Sequence, residues 1–250
     1  MYHDFASVYD QLQDADYEQF ADYYEQIFEK FNLKPELVLD LACGTGNVTL
    51  AMAQRGYDMI GIDLSVEMLN IAREKAADAG QNILFLNQDM TEFELYGTVD
   101  TIICALDGIN YLTEDGQLEQ VFRLAENYLN PGGIMIFDIN SEYKLKHILG
   151  EKTFVNEENG IYYVWQNFYE SDTGICRFVL NFFRRQTDGS YLRFDEFQEE
   201  RVYTESEIRA IAECSNLEFL GCYAPFTLLP PSEREERLFF TLRKKQLTNG

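Results

Sequence analysis

The stretch VLDLACGTGNVTL, residues 38–50, decides how this chain is read. Leu37–Leu41 is a short apolar run broken only by Asp40, the pattern of a strand buried on both faces of a parallel sheet. Gly44-Thr45-Gly46 then forms a tight loop, and 47–55 reads as a helix with Val48, Ala51 and Met52 on one face and Gly56 as its stop. Open α/β sheets bind their ligands beyond the carboxyl ends of the strands, where this loop falls. A residue without Cβ lets backbone touch a ligand, and Gly44 and Gly46 supply two such points.

The alternation continues outward from the loop. Residues 58–62 form the next strand, which ends at Asp63, nineteen residues after Gly44. Ser65 caps a helix whose buried stripe is Met68, Leu69, Ala72 and Ala76, and Gly80 ends it. Residues 83–86, followed by Asp89, and Val99–Cys104 are strands three and four. Thr113 is expected to cap a helix carrying Leu118, Val121, Phe122, Ala125 and Leu129; a turn at 130–133 leads to strand five at 134–137. Strands alternating with helices predict an α/β fold with a parallel sheet and right-handed crossovers. Upstream, residues 1–36 form an amphipathic helical cover with Tyr9, Phe20, Tyr24, Ile27 and Phe31 set among acids.

Downstream the period changes. Residues 161–169, 175–184 and 191–198 alternate as strands separated by turn residues, an antiparallel insertion that is rich in Tyr and Phe and holds Trp165. Thr204-Glu205-Ser206-Glu207 is a capping box that restarts a helix, and 217–224 and 238–243 read as two last strands. The domain reading is a core of 1–140 and 204–250 interrupted by a mainly antiparallel β insertion at 141–203.

Composition narrows the function. The net charge is −23, from 43 acidic and 20 basic residues in 250. That field repels a phosphate backbone and disfavours nucleic acid as a partner, while it suits a small or cationic substrate. Apolar runs are too short for a membrane helix, and the acidic N-terminus lacks the basic and apolar regions of a signal peptide, so a cytoplasmic location is expected. The five cysteines show no C-x-x-C, and His3 and His147 have no ligand spacing, so no disulfide framework and no metal site is expected.

The loop's surroundings then select its ligand. An acid at the end of strand two, Asp63, can accept both hydroxyls of a ribose. Thr49 stands where a dinucleotide fingerprint has its third glycine, and no Gly-Lys-Ser/Thr supplies a P-loop. Asp40, just before the loop, suits an ammonium group rather than a pyrophosphate. S-adenosylmethionine has a ribose, an adenine and an ammonium group, and no phosphate.

At these residues the chain resembles the class I S-adenosylmethionine-dependent methyltransferases, through DLACGTGN (40–47), IGIDLSVEML (60–69), LNQDM (86–90), ICALDGINYL (103–112) and LNPGGIMIFDIN (129–140). Among them it is similar to bacterial small-molecule enzymes with an early Tyr-Asp pair, here Tyr9-Asp10, a look shared by sugar N-methyltransferases. The resemblance implies a Rossmann-like, doubly wound sheet of seven strands, mostly parallel with one antiparallel edge strand. It implies that Asp40 and the backbone of Ala42, Cys43, Gly44 and Gly46 hold the methionine part. Asp63 would bind the ribose, with Leu64 and Met68 against the nucleoside. Asp89 and the Met90 backbone would recognise adenine, Leu106 would lie near the sulfonium, and Tyr9 would close over the cofactor.

Methyl transfer from a sulfonium is an in-line displacement, so the protein mainly positions the acceptor and excludes water. An amine or hydroxyl acceptor also loses a proton, which invites a base. Asp107, Asn110 and Tyr111 follow strand four and are the catalytic candidates; Trp165 and Tyr163 of the insertion are the substrate candidates. The insertion serves equally as substrate cover or as a homodimer interface. Three alternatives stay open from the sequence: a non-catalytic S-adenosylmethionine-binding sensor or assembly protein, a nucleotide-sugar or NAD-linked oxidoreductase, and a protein or RNA methyltransferase, the RNA case disfavoured by the charge.

Overall fold

A computed structural model describes residues 2–13 and 15–246. Helices α1 (Tyr2–Leu12) and α2 (Tyr17–Lys30) precede β1 (Leu37–Leu41), α3 (Asn47–Gln54), β2 (Asp58–Asp63), α4 (Val66–Asp78), β3 (Leu84–Asn87), β4 (Val99–Cys104), α5 (Gln117–Tyr128) and β5 (Leu129–Asn140). Then come β6 (Thr153–Glu158), β7 (Ile161–Glu170), β8 (Ile175–Arg185), β9 (Tyr191–Arg201), α6 (Glu205–Cys214), β10 (Leu217–Tyr223) and β11 (Arg237–Lys244). Seven strands form one sheet in the order β10-β11-β5-β4-β1-β2-β3, and β6-β7-β8-β9 form a second.

Neighbouring residues on the central strands feed opposite cores, as the pleat requires. Ile102, Met135 and Phe240 pack with Val121 and Phe122 of α5 and Ile208 of α6. Their neighbours Ile103, Ile136 and Phe239 pack with Phe20, Tyr24 and Ile27 of α2 and Met52 of α3. Burial on both faces explains why these strands read as continuous apolar runs. Ser65 caps α4 by accepting from Met68 N, and Thr204 caps α6 by accepting from Glu207 N, both at 3.2 Å.

Four elements differ from the sequence reading; one is β5, which already begins at Leu129, so that residues 130–133 lie within the strand at a register shift rather than in a free turn. The strand of reversed direction is β11, which lies one place in from the edge between β5 and β10. Its centre, Phe239–Leu242, is fully buried, whereas β10 carries an exposed Glu218 and a register shift at Gly221; the polar, irregular strand takes the edge. Helix α5 begins at Gln117, not after Thr113, because Gly116 sits at φ +85°, outside helical space. The second sheet has a fourth strand, β6, which is exposed along its whole length and so shows no apolar alternation to read.

In that second sheet Tyr163 pairs with Phe182, Trp165 with Leu180, Phe178 with Gln198 and Cys176 with Glu200. These side chains share one face, which lies over the carboxyl ends of β4 and β5. The opposite face leaves Val155 and Phe197 exposed. No helix among the described residues is long and apolar enough to cross a membrane.

Candidate active site

The loop after β1 is shaped by its neighbours. Cys43 N donates to Ile62 O of β2 at 2.9 Å, which ties the loop to the next strand. Ala42 and Gly44 both take φ +55°. The Asp63 carboxylate accepts from Gly44 N through Oδ2 and from Ser65 N through Oδ1, each at 2.8 Å. Each oxygen keeps a further lone pair, so Asp63 can still accept from a ligand hydroxyl. A Cβ built on Gly44 meets no atom within 4 Å, so this backbone borders open space. Gly46 differs: its Cβ would lie 2.8 Å from Ala72 Cβ, and it does not line the cleft. The second glycine lets α3 pack against α4 rather than approach a ligand.

Asp40 is buried beneath the loop, where its Oδ2 accepts from Thr49 Oγ1 at 2.5 Å. Burial pushes its carboxyl up to about 7, against the lowering pull of that hydrogen bond. An ammonium group beside it would relieve the cost. Asp89 accepts from Thr91 N and Thr91 Oγ1 through Oδ1, both at 2.7 Å, which shapes its turn and leaves Oδ2 free of these bonds. Helix α1 is seated on the loop by Asp10, which accepts from Thr45 Oγ1 at 2.6 Å and Asn47 Nδ2 at 2.9 Å and pairs with Lys75. This seat presents Tyr9 to the cleft, with Gln13 Nε2 donating to its hydroxyl at 2.8 Å. Burial raises the Tyr9 phenol, which keeps it a neutral donor.

One cleft of about 500 Å³ runs from these residues to the second sheet. Asp63, Leu64, Met68, Asp89 and Met90 line one end, and Ala42, Cys43 and Leu106 line its middle. Met68 also packs with Phe5, Val8 and Phe182, so it is core and lining at once. Asp107, Tyr111, Tyr163 and Trp165 line the far end. The volume is within the ordinary range for small-molecule sites.

Asn110 does not reach the cleft. It is fully buried: Oδ1 accepts from Asn140 N at 2.9 Å, and Nδ2 donates to Asn140 O at 3.2 Å and Arg201 O at 2.9 Å. Its amide is spent on backbone, tying the loop after β4 to β5 and β9, and the expectation of a catalytic role is corrected to a structural one.

The far end holds charged residues that the sequence reading did not single out. Leu106 and Asp107 both lie in the left-handed region, at φ 56° and 59°. Their amides donate to the two oxygens of buried Asp138, at 2.9 and 3.1 Å, which compensates this strained turn. Arg237 joins Asp138 to Asp107, with the Asp107 contact at 2.6 Å. Glu200 is buried in the same cleft, its Oε2 accepting from Asn140 Nδ2 at 2.7 Å. Burial first, and the nearby Asp107 charge second, push Glu200 up to about 8. Lys144 Nζ donates to Asn140 Oδ1 at 2.8 Å. Only Asp138 left a trace in the sequence, as an acid inside the apolar run IMIFDI. Glu200 sits in an acid-rich strand and Arg237 at a strand start, where neither stands out.

An α/β sheet of this order, with a glycine loop after β1 and acids after β2 and β3, defines a nucleoside-cofactor enzyme of the Rossmann-like class. A family model described as "Methyltransferase domain" matches residues 38–133. The chain is 35% identical to the protein named "Putative methyltransferase YqeM" of Bacillus subtilis (strain 168), over 98% of each chain. It is 32% identical to an S-adenosylmethionine-dependent methyltransferase from Clostridium acetobutylicum ATCC 824, with a TM-score of 0.89 over 98% of this chain and 99% of that one. CalS10, an amino pentose methyltransferase from Micromonospora echinaspora, shares the fold at 18% identity, with a TM-score of 0.75 over 98% of both chains. The chain therefore belongs to the class I S-adenosylmethionine-dependent methyltransferases. That membership sets aside the oxidoreductase and the non-catalytic alternatives.

Proposed function

We propose that this methyltransferase acts on the nitrogen of a small amine, with amino sugars the first candidates. The observation that carries the reading is the far end of the cleft. Two carboxyl groups, Asp107 and Glu200, stand there beside the aromatic side chains of Tyr163, Trp165 and Phe178. Carboxyl groups next to ring faces suit a cationic or amine-bearing acceptor. Tyr111 and Gln198, joined by a 3.1 Å hydrogen bond, add polar contacts for hydroxyl groups. CalS10 and the sugar N-methyltransferase KedS8 from Streptoalloteichus sp ATCC 53650, which share the fold, lend support.

The residues fit the methyl donor. Asp63 would hold the ribose, Asp89 and the Met90 backbone the adenine, and Asp40 with the Gly44 loop the methionine end. Open space over Gly44 and the spare acceptor capacity of Asp63 agree with this. When bound, S-adenosylmethionine supplies a methyl group already activated on a sulfonium. The chain's part is to orient the acceptor between the aromatic wall and Asp107, and to exclude water under the second sheet and α1.

The test is methyl transfer from isotopically labelled donor to a panel of amino sugars, diamines and amino acids, each paired with its hydroxyl counterpart. Methylated nitrogen in one or more amines is the expected product. Transfer confined to hydroxyl counterparts, or to protein or RNA alone, would remove the proposal.

A further inference from the structure

We propose that Glu200 is the group that takes the proton from the acceptor nitrogen, an inference that rests on the amine reading above. Glu200 comes from β9 of the second sheet, yet it lines the same cleft as the glycine loop. Its carboxyl is only 3% exposed and is held from one side. Asn140 Nδ2 donates to Oε2, while Oε1 carries no hydrogen bond among the described residues. Oε1 is also not among the buried polar atoms that lack a partner, so it opens to the cleft.

The orientation of Asn140 is fixed by its own partners. Lys144 can only donate, so it takes Oδ1, and the amide nitrogen must then face Glu200. The Asn140 backbone is in turn clamped by Asn110. Asn140 is thus a positioning residue, and Glu200 presents one oxygen to whatever enters.

The charged and titratable groups facing Glu200 come from every side. Asp107 lies on the loop after β4, Lys144 follows β5, Arg237 begins β11, and Cys176 is its partner on β8. Burial and Asp107 raise the carboxyl, while Asn140, Lys144 and Arg237 lower it, leaving it at about 8. A base whose pKa lies near that of an amine exchanges a proton with it at little cost. Asp107 is less suited, because its Oδ1 is engaged by Arg237.

When the acceptor ammonium binds, Glu200 first gives up its own proton to water and stands as the carboxylate; the ammonium then gives one proton to that carboxylate and becomes a neutral amine. Its lone pair forms the new C–N bond, and the electron pair of the broken S–C bond stays on sulfur. The methylated ammonium leaves, and Glu200 is again protonated, as it began.

The experiment needs no acceptor. Sinefungin carries an amine-bearing carbon in place of the methylated sulfonium, and so puts an ammonium at the place of the transferred methyl group, next to where the acceptor nitrogen approaches. Its binding and that of S-adenosylhomocysteine are measured by calorimetry near pH 7, in two buffers of different ionisation enthalpy. In the wild type, sinefungin should release most of one proton, because the ammonium draws Glu200 into its charged form, and S-adenosylhomocysteine should release far less. Glu200→Gln should lose that release and lower the preference for sinefungin by about tenfold or more, with affinity for S-adenosylhomocysteine unchanged. Equal proton release for both ligands in the wild type overturns the proposal, even where the variant fails to fold. So does a variant that keeps the wild-type preference. Failure of both ligands to bind would instead strike the donor-site assignment itself, and a hydroxyl-only acceptor panel would strike the amine reading.

Discussion

Asn110 and Asp107 stand three residues apart on one loop and do different work. Asp107 faces the cleft and pairs with Arg237; Asn110 points the other way and satisfies three backbone groups. Asn110→Ala would leave those buried groups without partners, at a cost of about 2–4 kcal/mol. Urea unfolding should show that loss as a lower midpoint with an unaltered slope. S-adenosylhomocysteine titration of the folded variant should show near wild-type affinity. A variant of full stability and weak affinity would return Asn110 to the ligand site. From sequence alone both residues were catalytic candidates just past a strand end, and nothing local told their directions apart. The left-handed turn at Leu106 and Asp107, which sets those directions, depends on Asp138 from another strand.

At the scale of elements, the glycine loop shows how one short pattern serves two ends. Gly44 borders open space in the cleft, whereas Gly46 is where α3 meets α4. Gly44→Ala should cost only about 1–2 kcal/mol, for a left-handed residue with a Cβ, and should weaken S-adenosylhomocysteine binding. Gly46→Ala adds a contact of 2.8 Å with Ala72 to the same backbone strain, and should cost about 2–4 kcal/mol. Thermal denaturation and ligand titration of the two variants side by side would check this. Equal stability losses would mean that the helix contact is not what Gly46 serves. Helix α1 is a similar case. Its amphipathic pattern was legible, but its seat on Thr45, Asn47 and Lys75 through Asp10 was not.

Across the whole molecule, a charge of −23 works against compactness, and four buried carboxyls, Asp40, Asp138, Glu196 and Glu200, add to it. Asp40 and Glu196 at about 7 and Glu200 at about 8, all raised first by burial, lie above the unfolded carboxyl value of about 4. Between these limits the folded chain binds more protons than the unfolded one. Stability therefore falls as pH rises from about 4 to about 8. The melting temperature of the ligand-free protein should drop over that window. Asp40→Asn should flatten the drop, and added salt should raise the curve most at its alkaline end, where repulsion is greatest. A profile flat in pH, or an unchanged slope in Asp40→Asn, would contradict the assignment of Asp40 as a buried titrating acid.

The sequence by itself determined the alternating core, the position of the glycine loop and the acids at the ends of β1, β2 and β3. Each of these is a local property, written in the period of apolar residues and in a few side chains beside a strand end. The acceptor end was decided only by the tertiary structure. Asp107, Asp138, Asn140, Glu200 and Arg237 come from β5, β9, β11 and the loop after β4. No spacing links them in the chain. They meet because β11 is inserted beside β5 and because the second sheet turns its alternate face over the strand ends. Near-neighbour chemistry gives a sequence its signals, whereas a constellation drawn from distant strands exists only once the sheet has closed around it.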